Sequence, residues 1–297
     1  MANSIALATK FQPILDEIYK LASLTGRMDS LTKPVSFAGA NVVKVFKTSL
    51  IGMGTYSRIT GYPVGDVTGT WETLTLATER GRELFLDRED DEETLGMAFG
   101  TLIGEYMRTL VVPEVDAYRF SKYASWSGIT EVGSPTTLAS GTVLAAIDAA
   151  AGVMNANEVP NEGRILYVSD TVQTFLDQAL TRTYANDSVI SNRVTNYNGM
   201  DIIMIPQTRF YKGITLDAGA TSSAGGYSKT AVTGRDINFL MVHPSAVLQV
   251  KKHDNLKLFD PDVNQIKDGW KVQYRLYHDA FVYENKVKGV YSHIKAS

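Results

Sequence analysis

The chain has no cysteine in its 297 residues. Disulfides, thiolate metal sites and thiol nucleophiles are therefore excluded, and nothing argues for secretion. It also lacks an excess of positive charge, because 29 Lys and Arg against 32 Asp and Glu leave a formal net charge of −3. A protein that grips DNA by its phosphates usually carries a clear basic excess, so tight sequence-specific DNA binding is not expected. Histidine is scarce too. His243, His253, His278 and His293 stand in no HExxH or other ligand spacing, and no GxSxG elbow occurs. Each reads as a surface or hydrogen-bonded structural residue. Carboxylates are plentiful, yet no pair is marked out as a general acid and base. No catalytic residue, cofactor or metal is assigned.

Long apolar runs are missing as well. The longest apolar-looking stretch, Thr94 to Val112, is interrupted by Glu105 and Arg108, and burying each in a bilayer would cost roughly 2.5–3.5 kcal/mol. No membrane span is expected. The opening MANSIALATK lacks the basic-then-apolar pattern of a signal peptide. Gly52-Met53-Gly54 begins like a nucleotide loop, but Ser57 stands where GxGxxG needs its third glycine, and GxxxxGK[ST] is absent.

What remains is a globular composition, 44% hydrophobic and 21% charged, in a chain long enough for one large domain or two modest ones. Phe11, Ile14, Leu15, Ile18, Tyr19 and Ala22 recur at helical spacing, with Pro13 in the first turn and Gly26 at the stop. The helix is too short to be stable alone, so its stripe packs either on its own domain or on a neighbouring subunit.

From Asn41 to about Asp87 the pattern turns to strands. Val42 to Lys47 is β-branched and aromatic-rich, and Trp71 to Leu76 alternates, with Glu83 to Leu86 read as its continuation. Gly61 to Gly69 between them is turn-rich. This predicts a long two-stranded excursion with a Gly/Pro tip. A lone two-stranded ribbon is marginal in water and its edges invite pairing, so it must lie on a surface, its own or another copy's.

Asp87 to Glu93 is acidic. The run lacks the spacing and glycine of an EF-hand, and it suits a helix N-terminus through the macrodipole. Its third use is pairing with basic residues of a neighbouring arm, Lys44, Lys47 or Arg58. A long helix is predicted from about Glu93 towards Tyr123, with Leu95, Phe99, Leu102, Ile103, Tyr106 and Leu110 on its apolar face. Pro113 is expected to kink or restart it. Gly96, Gly100 and Gly104 share one strip, which suggests close packing.

In the second half Leu138 to Val153 reads as helix, Asn157 to Gly163 as linker and Arg164 to Ser169 as strand. A helix capped by Asp170 follows. Asp201 to Pro206 and Ile237 to Val242 read as strands, Thr215 to Gly234 as an exposed loop, and Gly269 to Ile294 as long alternating segments. Helices and strands are interspersed without a regular βαβ rhythm, so the fold class is α+β.

The order of segments resembles a known family. A helix ending Tyr19-Lys20-Leu21-Ala22-Ser23 is followed by Arg58-Ile59-Thr60-Gly61-Tyr62-Pro63 and Gly65-Asp66-Val67-Thr68. Arg80-Gly81-Arg82-Glu83-Leu84-Phe85-Leu86-Asp87 then leads into the acidic run, and Val112 to Phe120, VPEVDAYRF, follows on the long helix. The series resembles the coat proteins of tailed bacteriophages with the Hong Kong 97-type capsid fold, over about residues 5–180. That resemblance implies an N-terminal arm near 1–40 and an extended loop at 41–86. It implies a peripheral domain with the spine helix from 87–154 and 256–297, and an axial domain at 155–255. It further implies self-assembly into hexamers and pentamers of an icosahedral shell around double-stranded DNA, with the extended loop lying over an adjacent subunit. Assembly would take place in the bacterial host cytoplasm and the product would be the virion. The chain starts almost at the arm, so a separate scaffold protein, or prior processing, is expected alongside a portal. Lys44, Lys47, Arg58, Tyr62, Trp71, Asp87, Asp90, Asp91 and Glu92 are the expected inter-subunit contacts. No cross-link is predicted. The alternatives are an encapsulin-like nanocompartment shell and, from another class, a soluble α+β enzyme.

Overall fold

The computed structural model describes residues 23–29, 41–89, 103–179, 193–219 and 224–296. The elements in order are a short helix α1 (Gly26–Asp29), strands β1 (Val42–Ser49), β2 (Thr68–Thr75) and β3 (Thr78–Asp87), a π-helical turn (Met107–Val111) and helix α2 (Val112–Ser125). Then come β4 (Thr130–Glu131), α3 (Val143–Ala156), β5 (Ile165–Ser169), α4 (Asp170–Ala179), β6 (Asn196–Tyr197), β7 (Met200–Ile205), β8 (Ile214–Asp217) and β9 (Gly226–Lys229). The chain ends with β10 (Ile237–Val242), β11 (Val247–Phe259), β12 (Gly269–Val282) and β13 (Val290–Ile294).

The core is a six-stranded mixed sheet in the order β4-β13-β10-β5-β7-β6. All residues of β5, β10 and β13 are buried. That follows from cover on both faces, which continuous apolar strands require. On one face Tyr167, Leu240 and Val242 meet Phe120, Tyr123 and Ala124 of α2. On the other, Leu166, Val168, Phe239 and Met241 meet Ile147 and Met154 of α3 and Val172 and Leu176 of α4. The Ser169 hydroxyl accepts from the Val172 amide at 3.4 Å, so Ser169 takes the capping role expected of Asp170.

A second sheet, β11-β12-β3, is wholly antiparallel. Here the structure corrects the expectation for Glu83 to Leu86. These residues do not continue β2 but pair with β12, Glu83 opposite Gln273 and Leu86 opposite Trp270. One further expectation is corrected. The Thr215–Gly234 stretch carries a small hairpin, β8 with β9. The restart expected at Pro113 is seen, because the α-helix begins again at Val112 with Pro113 in its first turn, after the π-helical turn. Proline brings no N–H for the carbonyl four residues back and crowds it, and the turn before it widens, with the Val112 amide donating to the Met107 carbonyl. Gly96 and Gly100 lie outside the described residues, so the expected glycine strip is represented there by Gly104 alone.

Candidate assembly surface

β1 and β2 form a two-stranded antiparallel ribbon, with Val42 opposite Thr75 and Ser49 opposite Thr68. Its root is fixed. Val43, Leu74 and Leu76 are buried against Leu248, Val250 and Phe281 of the second sheet. The Tyr277 hydroxyl donates to the Leu76 carbonyl at 3.0 Å, and the Ala77 amide to Asp279 Oδ2 at 2.9 Å. Asp279 also accepts from the Tyr118 hydroxyl at 2.9 Å, which ties the ribbon's exit to α2. Burial in this seam raises the Tyr118 pKa and pushes His278 down to about 3.

Further out the support thins to the Lys47–Glu284 ion pair and the Glu284 amide donating to Glu72 Oε2 at 3.4 Å. Phe46 and Trp71 face each other across the strands at 5.0 Å, both more than half exposed. A Cβ on Gly69 would fall 2.5 Å from Phe46 Cζ, so the bare glycine gives that ring room to lie across the partner strand. Residues 50–67 then form a loop whose hydrogen bonds stay local. Ser57 and Gly61 exchange backbone hydrogen bonds of 3.1 and 2.8 Å, and Ser57 Oγ accepts from the Ile59 and Thr60 amides at 3.2 Å each. Tyr56 and Tyr62 pack with centroids 4.9 Å apart. The loop is thus braced from inside while its apolar side chains point to solvent. Ile59 and Val64 are 95% and 96% exposed, and Leu50, Ile51, Met53, Tyr62 and Val67 are also exposed. An exposed apolar patch of this kind marks an interaction surface or an aggregation liability.

The expected contact residues fall out as follows. Lys44 is exposed on β1 opposite Thr73. Lys47 forms an ion pair with Glu284 of its own chain. Arg58 sits in the exposed turn, and Tyr62 and Trp71 lie on the ribbon as described. Asp87 closes β3 and accepts from the Glu89 amide at 3.1 Å. Asp90, Asp91 and Glu92 lie outside the described residues. The structure thus brings Arg58 and Tyr62 to one tip and leaves Asp87 at the far end of another sheet. Sequence reasoning missed Met53, Ile59 and Val64, whose signal was apolar residues between turn formers with no periodicity to bury them.

Other sites are plainer. Among the described residues no group of three or more His, Asp or Glu is placed to hold a metal ion, and no helix is long and apolar enough to cross a membrane. His278 and His293 are buried. His293 lies within hydrogen-bond distance of Thr136 Oγ1 and Asn238 Nδ2, at 3.2 and 3.1 Å. A cleft of about 680 Å³ lies between β3, α2 and the β8–β9 hairpin, and Arg80 crosses it to reach Glu114 at 2.6 Å and the Asp217 carbonyl at 2.7 Å. Within it Arg80 and Glu114 are paired with each other.

No family model matches the chain, and no curated protein matches it. Solved structures do. The capsid structure of the cyanophage P-SCSP1u superposes with a TM-score of 0.65 at 15% identity, covering 99% of this chain and 93% of that one. The asymmetric unit of the bacteriophage PhiM1 mature capsid gives 0.64 at 13%, over 97% and 91%. The capsid of an empty GTA particle gives 0.55 at 10%, over 96% and 100%. Over nearly its whole length, therefore, the chain has the α+β fold of phage capsid subunits.

Proposed function

We propose that the chain is the major capsid protein of a tailed bacteriophage. It is structural rather than catalytic, and it assembles into hexamers and pentamers of an icosahedral head that encloses double-stranded DNA without reading its sequence. The observation that carries this reading is the ribbon: its root is buried like core, and its outer half exposes apolar side chains on a braced loop that the described residues of its own chain do not cover. A second copy beneath that loop supplies the missing layer. Repeated by symmetry, individually modest contacts sum to a stable shell.

The division into an arm (1–40), extended loop (41–86), peripheral domain with the spine helix (87–154 and 256–297) and axial domain (155–255) is part of the proposal. So are Lys44, Lys47, Arg58, Tyr62, Trp71 and the acidic run Asp87, Asp90, Asp91 and Glu92 as inter-subunit contacts. A separate scaffold protein and a portal complete the partners, and the virion is the site of action.

The test is electron microscopy of the purified protein with a nucleic-acid assay, on the wild type and on a variant lacking Ser57 to Gly69. Shells from the wild type and folded, poorly assembling subunits from the deletion are expected. Normal shells from the deletion variant would remove the ribbon's role. A stable monomer at every concentration, or particles holding enzymes and no DNA from the native host, would overturn the capsid reading.

A further inference from the structure

Residues 23–29 return to the body at one point. Asp116, in the middle of α2, is fully buried, and five donors converge on its carboxylate. Oδ1 accepts from Ser23 Oγ at 2.9 Å, Thr25 Oγ1 at 2.7 Å and the Thr25 amide at 3.3 Å. Oδ2 accepts from the Leu24 amide at 2.9 Å and from Arg209 Nη1 at 3.2 Å. Thr25 is held from two more sides. Its hydroxyl accepts from Arg119 Nη1 at 2.8 Å and its carbonyl from Gln249 Nε2 at 3.4 Å. The five donors come from two separate places, the N-terminal segment and the turn after β7. A buried carboxylate needs such donors, because nothing else there replaces water.

Apolar packing at the same segment is thinner. Met28 is buried in the core beside α2 and Leu24 is partly buried, while Arg27 faces outward to Asp201. The short α1 has a single turn and no stability of its own.

We infer that Asp116 is a positioning residue, an anchor that ties the N-terminal segment and the Gln207–Arg209 turn to one point of α2 and so fixes where the chain preceding Ser23 starts. Under the function proposed above, that point is the root of the N-terminal arm. The anchor itself is a property of the single subunit and stands whether or not shells form.

The experiment is hydrogen exchange by mass spectrometry on the unassembled full-length protein. Asp116→Asn is combined with Arg209→Gln so that the Arg209 guanidinium, which bonds the carboxylate directly, is not left facing a neutral amide. The amides of residues 23–29 should exchange at least tenfold faster, while those of β5 and β10 keep their wild-type rates. Met28→Ala, which thins the apolar contact and leaves the carboxylate intact, should raise exchange in 23–29 by less. Wild-type exchange in the double variant would overturn the anchor, as would a larger rise in Met28→Ala or an equal rise in β10. Should the double variant fail to fold, Thr25→Val decides in its place. It removes one donor, and a faster 23–29 with an unchanged β10 supports the anchor, whereas no change refutes it.

Discussion

β10 and β1 are both strands rich in β-branched, aromatic and aliphatic residues, yet they live in opposite surroundings. Every residue of β10 is buried, whereas β1 is buried at Val43, alternates with exposed Lys44 and Phe46, and ends fully exposed. The difference lies in the layers. β10 has α2 on one face and α3 with α4 on the other, so no side chain along it meets water. β1 has β2 beside it and the second sheet beneath its first residues only. Strand propensity is the same in both places, and cover is not. Under the function proposed above, a neighbouring copy supplies the third layer where this ribbon's own cover runs out.

The largest effect expected from breaking this contrast is in β10. Phe239 is fully buried between Tyr291 and His293, with the His293 ring stacked at 4.7 Å. Phe239→Ala should cost about 3–5 kcal/mol of subunit stability, read as a lowered urea midpoint at unchanged slope. Next comes the ribbon's root, which is exposed in sequence terms but core by packing. Leu74→Ala opens the cluster with Leu248, Val250 and Phe281 and should cost about 2–4 kcal/mol. A loss under about 0.5 kcal/mol would show that the root is as loosely held as the tip, and the contrast between them would collapse.

The seam between the two regions has its own signature in pH. His278 lies edge-on to Tyr118 at 5.2 Å, and burial holds it neutral with its pKa down at about 3. Unfolded, it takes a proton below its ordinary value of 6.5. The unfolded state therefore binds more protons between those values, and stability falls as pH drops from 6.5 towards 3. One such group contributes a slope of about 1.4 kcal/mol per pH unit. His278→Phe keeps a ring against Tyr118 and removes the titration, so denaturation curves across that window should flatten by that slope. An unchanged slope would mean that His278 titrates normally and that the seam is open to water.

How much of this was legible beforehand follows the same line. The strands at 165–169 and 237–242 showed themselves as short apolar runs bounded by turn formers, because both of their faces are buried, and the one at 200–205 read the same way although its four inner residues are only half-buried. β3 was misread because its partner is β12, far along the chain, and nothing local says that an alternating segment has changed sheets after Ala77. β11 was missed for a different reason. A register shift between Lys251 and His253 puts the two halves of the strand out of phase, so no single period of two runs through it. β8 and β9 hid in a Gly- and Ser-rich stretch that looked like loop. At the assembly surface the ribbon itself was readable from its turn-rich middle, but the acidic run Asp90-Asp91-Glu92 lies outside the described residues. The anchor at Asp116 was invisible, since its partners are scattered over Ser23, Thr25 and Arg209.

The smallest expected effect on the subunit is the most telling for the comparison. Ile59 and Val64 sit at the tip with almost their whole surface in water. Replacing both with serine removes no buried contact and opens no cavity, so subunit stability should stay within about 0.5 kcal/mol of the wild type. The same change strips two side chains from the patch that a neighbouring copy would cover. Each would bury its area only on assembly, at about 25 cal/mol per Å², so the loss appears in the concentration needed to form particles and not in the melting of the monomer. Light scattering against concentration measures the first and urea unfolding the second. A raised assembly threshold with an unmoved midpoint is the expected pair. A lowered midpoint would mean that the tip already rests on its own body, and the ribbon would then be an ordinary piece of the fold, no different in kind from β10.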